Sequence, residues 1–170
     1  METVLVNEKQ TAPMQTETEK EEHIILFVCT GNTCRSPMAA ALWNARYTDT
    51  RCRAVSAGLA ADGSGISPNA AAALLQKGIR SVPGNDYLSH VSHTVSAEDM
   101  EKAEIVYGIT QRHAMQLLFA FPQYAAKISA LPKDISDPYG GDLAIYEQCL
   151  DDIETAFEEL FTTRGETDND

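Results

Sequence analysis

The stretch Ile24-Ile25-Leu26-Phe27-Val28-Cys29-Thr30-Gly31-Asn32-Thr33-Cys34-Arg35-Ser36-Pro37 decides the fold. Ile24 to Val28 are apolar and β-favouring, which predicts a buried strand, and Ser36-Pro37 are helix-start residues. What lies between them, bracketed by the thiol of Cys29 and the guanidinium of Arg35, is a loop joining a strand end to a helix N-terminus. Backbone N–H groups in such a loop converge on an oxyanion. The residues alone describe a phosphate trap with a nucleophile inside it.

Each residue type has a physical task. The thiolate, not the thiol, is the nucleophile, and a helix N-terminus and a nearby cation both favour that form at Cys29. Arg35 offers a planar fork for two phosphate oxygens, which the point charge of lysine cannot imitate. Gly31 lets the chain turn, and Asn32 tolerates a left-handed conformation while its amide braces the loop. The N–H groups from Thr30 through Gly31, Asn32, Thr33 and Cys34 to Arg35 form the expected phosphate cradle. Ser36 has two open roles, capping the helix or donating its hydroxyl to the thiolate. A Cys followed six positions later by Arg is a weak signal by itself. The strand before it, Gly-Asn inside it and Ser-Pro after it, with a helix continuing Met38-Ala39-Ala40-Ala41-Leu42-Trp43, make a merely structural cysteine improbable.

Outward from this loop, apolar runs alternate with amphipathic stretches, which predicts an α/β fold: a four-stranded parallel sheet in a three-layer α/β/α sandwich, with the phosphate-binding loop after strand 1. Strands are expected near 24–29, 52–56, 104–109 and 126–131, and helices near 36–47, 67–77, 96–102, 111–120 and 142–161. Ser67-Pro68, Ser96 with Asp99, and Thr110 are start signals, and Gly78 is a stop. In the last helix Leu143, Tyr146, Leu150, Ile153, Phe157 and Leu160 recur at spacings of three or four, a core stripe. In an open parallel sheet ligands bind beyond the carboxyl ends of the strands. Cys29 ends the first strand and Asp137 follows the last, so the two are expected to meet.

Val28-Cys29-Thr30-Gly31-Asn32-Thr33-Cys34-Arg35-Ser36-Pro37-Met38 resembles the active-site loop of the low-molecular-weight protein tyrosine phosphatase family, and Ser136-Asp137-Pro138-Tyr139-Gly140-Gly141 resembles the loop that carries its general acid. The similarity runs from about Ile24 to Phe161 and includes Val55-Ser56-Ala57-Gly58. It implies Cys29 as nucleophile, Arg35 and the loop N–H groups as the anion clamp, Asp137 as acid and then base, a phosphocysteine intermediate, and no metal or cofactor. It also implies that Tyr139 stacks on a planar leaving group. His90 occupies the place of a histidine that braces the loop asparagine, although His93, three residues on, competes for that role. His23 and His113 have no partner visible in the sequence.

Thr33 is the informative departure. Tyrosine-specific members usually place an aliphatic residue there, against the ring of the substrate. With Asp137-Pro138-Tyr139-Gly140-Gly141 and Ile145-Tyr146, Thr33 resembles the bacterial protein arginine phosphatase branch, which implies phosphoarginine; phosphotyrosine is the alternative. One methylene in an apolar pocket is worth only about 1–3 kcal/mol of discrimination. Thiol-dependent arsenate reductases share the fold and a similar loop, but their relay cysteines fall where this chain has Glu104 to Thr110 and no cysteine through Lys133. A non-catalytic phosphate-binding module is the remaining reading, at odds with a nucleophile, a clamp and an acid all being present. Cys34 is either a small packing residue or a redox partner that traps an oxidised Cys29 as a disulfide.

A chain of 170 residues, 44% hydrophobic, has the size of one domain with a substantial core. Four unevenly spaced cysteines suit reduced thiols and a cytoplasmic setting, and no apolar run approaches the roughly 20 residues of a membrane span. The formal charge of −12 argues against nucleic acid. Six acids and two lysines give residues 1–22 a charge of −4, and three acids and one arginine give residues 162–170 a charge of −2, which leaves −6 for the body. Both ends are expected to be disordered tails around a phosphatase domain at 23–161. The expected partners are phosphorylated proteins, with inorganic phosphate as product, acted on by a monomer.

Overall fold

In the computed structural model, which describes residues 22–48 and 51–167, four strands and five α-helices alternate along the chain. The strands are β1 (His23–Cys29), β2 (Cys52–Gly58), β3 (Ile105–Gly108) and β4 (Ile128–Ala130). They form an all-parallel sheet of order β2-β1-β3-β4, with Cys29 level with Gly58 and Val28 level with Gly108. Because β1 is internal, both its faces are covered, which is why its sequence is continuously apolar. Ile25 and Phe27 point to one core, and Leu26 and Val28 point to the other.

Helices α1 (Arg35–Arg46), α2 (Pro68–Gln76) and α5 (Leu143–Thr167) supply the first core, and α3 (Ala97–Lys102) and α4 (Gln111–Ala120) supply the second. This is the expected three-layer sandwich. Phe27 and Phe157, with ring centroids 5.3 Å apart, fasten α5 to the central strand. Trp43 meets Phe157 edge-on at 5.3 Å, which ties in α1. Each such ring contributes about 1.5–3 kcal/mol on burial. Both the Ser96–Asp99 start and the Thr110 start form capping boxes.

Three expectations change at the boundaries. Residues 126–127 are not strand: Pro122–Lys127 winds into 3₁₀ turns, and the Lys127 ammonium bonds the carbonyls of Met100 and Ala103 at the end of α3, at 2.7 and 2.8 Å. The last helix continues through Thr167, so residues 162–167, expected as tail, extend it; residues 1–21 and 168–170 of the expected tails lie outside the described residues. Helix α1 begins at Arg35 with Cys34 at the capping position, so Ser36 lies inside the first turn and does not cap it.

Two glycines let packed elements approach closely, Gly58 against the loop after β1 and Gly108 against the start of α4. A Cβ on Gly58 would lie 2.7 Å from the Thr30 carbonyl oxygen and 3.0 Å from Asn32 Cβ. One on Gly108 would lie 2.4 Å from the Ala114 nitrogen. Real contacts of that kind do not occur, so β2 and α4 close in only because both positions lack side chains. No helix among the described residues is long and apolar enough to cross a membrane.

Candidate active site

The carboxyl end of β1 and the loops after β1, β2 and β4 surround one cleft of about 280 Å³. Its floor is the run Cys29, Thr30, Gly31, Asn32, Thr33, Cys34 and Arg35, and its rim is Ala60, Asp62, Asp137 and Tyr139. Every residue expected to touch substrate is therefore in one place. Ser36 and His90 lie behind the floor and support it.

Asn32 is the keystone of that support. It has positive φ (59°), is 0% exposed, and spends its amide inward: Nδ2 donates to Ser36 Oγ at 2.8 Å and Ser56 Oγ at 3.0 Å, while Oδ1 accepts the His93 backbone N–H at 3.1 Å. Its own N–H points at Cys29 Sγ, 3.3 Å away. Its carbonyl oxygen lies 2.8 Å from His90 Nε2, which must therefore carry the proton and donate it. Burial holds His90 below the usual histidine range, although this hydrogen bond opposes the shift. Both histidines thus brace Asn32, His90 by its ring and His93 by its backbone; the His93 ring instead meets Asp99 at 3.1 Å.

Cys29 Sγ sits 2.9 Å from Ser36 Oγ. Since Asn32 already donates to that oxygen, the single Ser36 hydroxyl proton is free for the sulfur or for the Ala57 carbonyl at 3.3 Å. The first N–H groups of α1 have no intrahelical partner, and no side chain caps them. They are available to an anion at the sulfur, with the positive end of the helix dipole behind them. Arg35 is buried, and its Nη1 donates to the Ile135 carbonyl at 3.1 Å. Its Nη2 lies 3.7 Å from Asp137 Oδ2. Asp137 Oδ1 accepts the Tyr139 N–H at 3.1 Å, which turns the acid-bearing loop towards the clamp.

Four supporting residues were not legible in the sequence. His113 is buried, with Nδ1 accepting the Thr110 N–H at 3.2 Å and Nε2 3.0 Å from Thr30 Oγ1. Burial first, and then the Arg35 cation, pushes its pKa down to about 4. Its only sequence signal is the Thr110-to-His113 spacing of a capping box. Tyr146, expected as core, is core, yet its hydroxyl also reaches Cys34 Sγ at 3.4 Å, and burial raises its pKa. Ala60 and Asp62 belong to no motif. His23 pairs with Glu104 at the opposite end of the sheet. No three His, Cys, Asp or Glu side chains gather as a metal site among the described residues.

A buried thiol within an N–H cradle, an arginine clamp and a rim carboxylate on a four-stranded parallel sheet define a cysteine-based phosphatase. The family described as low molecular weight phosphotyrosine protein phosphatase matches residues 24–168. The chain belongs to that family. It is 37% identical over 146 residues to the protein-arginine-phosphatase of Bacillus subtilis, covering 80% of this chain and 93% of the relative. It is 31% identical over 150 residues to a low molecular weight protein-tyrosine-phosphatase of Streptomyces coelicolor, covering 78% and 87%. The crystal structure of a YwlE mutant from Bacillus subtilis superposes with a TM-score of 0.74 at 34% identity, covering 84% of this chain and 99% of that one.

Proposed function

We propose that this member hydrolyses phosphoarginine in proteins through a phosphocysteine intermediate. The observation that carries the substrate class is Thr33: a hydroxyl-bearing side chain, not an aliphatic one, lines the cleft beside the clamp. Likeness to the Bacillus subtilis relative supports the same reading.

The Cys29 thiolate attacks phosphorus in line while the loop N–H groups and Arg35 hold the equatorial oxygens. The P–N bond breaks as Asp137 gives its proton to the departing guanidine nitrogen, leaving a Cys29–phosphate bond and an Asp137 carboxylate. Water then attacks that phosphorus, Asp137 takes its proton, and inorganic phosphate leaves with the thiolate restored. Ser36 holds the sulfur between turnovers by its hydroxyl at 2.9 Å. The reaction balances without an added redox partner. A monomer in the cytoplasm, with its thiols reduced, completes the reading.

Phosphotyrosine is the second reading, favoured by Tyr139, which is 82% exposed on the rim and able to stack on a ring. Arsenate reduction is disfavoured by the cysteines. Cys52 starts β2, level with His23, at the opposite end of the sheet from Cys29. Burial pushes the Cys149 thiol up to about 12, which leaves it a poor relay nucleophile.

The deciding measurement is kcat/KM on phosphoarginine and phosphotyrosine peptides of one sequence, for the wild type and Thr33→Ile. The wild type prefers phosphoarginine, and Thr33→Ile moves the ratio towards phosphotyrosine by about tenfold or more. A wild type that prefers phosphotyrosine defeats the substrate reading.

A further inference from the structure

The cleft rim has two carboxylates where the chemistry uses one. Asp62 lines the same cleft as Cys29, Arg35 and Asp137, yet it comes from the loop between β2 and α2. Asp137 follows β4. Since β2 and β4 are the two edges of the sheet, the carboxylates enter from loops belonging to opposite edge strands.

The loop that carries Asp62 is tied to the phosphate loop along its length. Leu59 and Ala60 donate their N–H groups to the carbonyls of Cys29 and Thr30, both at 2.9 Å, and Ser67 donates to the Thr33 carbonyl at 2.8 Å. Ala61 donates to Thr94 Oγ1 at 3.1 Å, and the Ser64 carbonyl accepts from the Ser92 N–H at 2.8 Å. Asp62 is therefore held at a set position above the cradle. Its Oδ1 accepts both the N–H and the hydroxyl of Ser64, at 2.9 and 2.5 Å, and its other oxygen is uncommitted by them. Those two donors, the hydroxyl foremost, lower its pKa and keep it anionic.

We propose that Asp62 is a specificity-determining residue whose carboxylate receives the cationic guanidinium of phosphoarginine. The inference rests on the phosphoarginine reading of the site. Its logic is a division of labour between two acids. Asp137 must be protonated when the P–N bond breaks, so at that moment it is neutral and cannot balance the positive leaving group. Asp62 takes no part in proton transfer and remains charged throughout. The uncommitted oxygen of Asp62 accepts a charge-assisted guanidinium N–H, a donor that the phenol ring of phosphotyrosine lacks. Asp62 thereby selects by charge, while the Thr33 wall acts only by size and polarity.

The test is Asp62→Asn, which keeps an acceptor for Ser64 and removes only the charge. Its kcat/KM is measured on matched phosphoarginine and phosphotyrosine peptides, with the inhibition constant for inorganic phosphate and the melting temperature as controls. Asp62→Asn loses about tenfold on phosphoarginine and nothing on phosphotyrosine, with phosphate inhibition and melting unchanged. Asp62→Glu recovers part of the loss. A uniform loss on both peptides, or no loss on either, overturns the role of Asp62. The wild-type ratio of the two peptides answers the separate question of the preferred substrate, so the two readings fail independently.

Discussion

His113 Nε2 stands 3.0 Å from Thr30 Oγ1, so the first turn of α4 holds the first residue of the phosphate loop. The contact joins residues 83 apart in sequence. It depends on one tautomer: Nδ1 accepts from the Thr110 backbone, so the proton resides on Nε2 and is donated to Thr30. A second proton would cost Thr110 its acceptor and place a cation near Arg35.

Stability follows from that tautomer. The His113 pKa falls from an ordinary 6.5 to about 4 on folding. Above about pH 6.5 neither the folded nor the unfolded form is protonated there, and nothing is lost. Between 6.5 and 4 the unfolded chain takes up the proton and the folded one refuses it, so stability declines with falling pH, by up to roughly 3 kcal/mol. Urea unfolding at pH 7.5, 5.5 and 4.5 will show the wild type losing more than His113→Gln over this window. Parallel declines in the two proteins contradict the assignment.

Gly58→Ala destabilises by about 1–3 kcal/mol, because its Cβ must displace backbone at Thr30 and the Cβ of Asn32. The displaced atoms belong to the cradle, so kcat falls together with the melting temperature. A variant that melts lower yet turns over normally would show that the loop tolerates the shift.

Cys29→Ser abolishes turnover while phosphate still protects the protein thermally, since the cradle and Arg35 remain. Asp137→Asn lowers kcat/KM, which reports the phosphoryl-transfer step to Cys29 alone, by about 10²–10⁴ on phosphoarginine peptide and far less on p-nitrophenyl phosphate, whose leaving group departs without a proton. Equal losses on both substrates would remove Asp137 from the acid role.

Cys34 lies five residues from Cys29 in the same loop, with its sulfur against the Tyr146 hydroxyl at 3.4 Å. After brief peroxide treatment, dithiothreitol restores most activity to the wild type and little to Cys34→Ala, whose Cys29 oxidises past recovery. Equal recovery assigns Cys34 to packing alone.

The parts of this molecule that were legible in the sequence are those where chemistry or burial narrows the choice of residue. Ile24 to Val28 had to be apolar because β1 is covered on both faces, and Cys29, Arg35 and Asp137 have no substitutes for their tasks. The end of the last helix was less legible, because acidic residues past Phe161 suit a solvated helix and a tail equally well. Lys127 read as strand because its neighbours are apolar, whereas its ammonium is committed to the end of α3. His113 and Asp62 were illegible for opposite reasons. The partner of His113 is brought in only by the fold, and Asp62 is an exposed acid in a loop, indistinguishable in sequence from any solvated one.

The inward-facing amide of Asn32 divides the site into two mechanical compartments. Its partners Ser36, Ser56, His90 and the His93 backbone come from three parts of the chain, so a change at Ser36, Ser56 or His90 disturbs both folding and chemistry. The rim residues Ala60, Asp62 and Tyr139 are exposed and carry little of the core. A substitution at the rim can therefore change which leaving group the cleft accepts without moving the anion cradle beneath it.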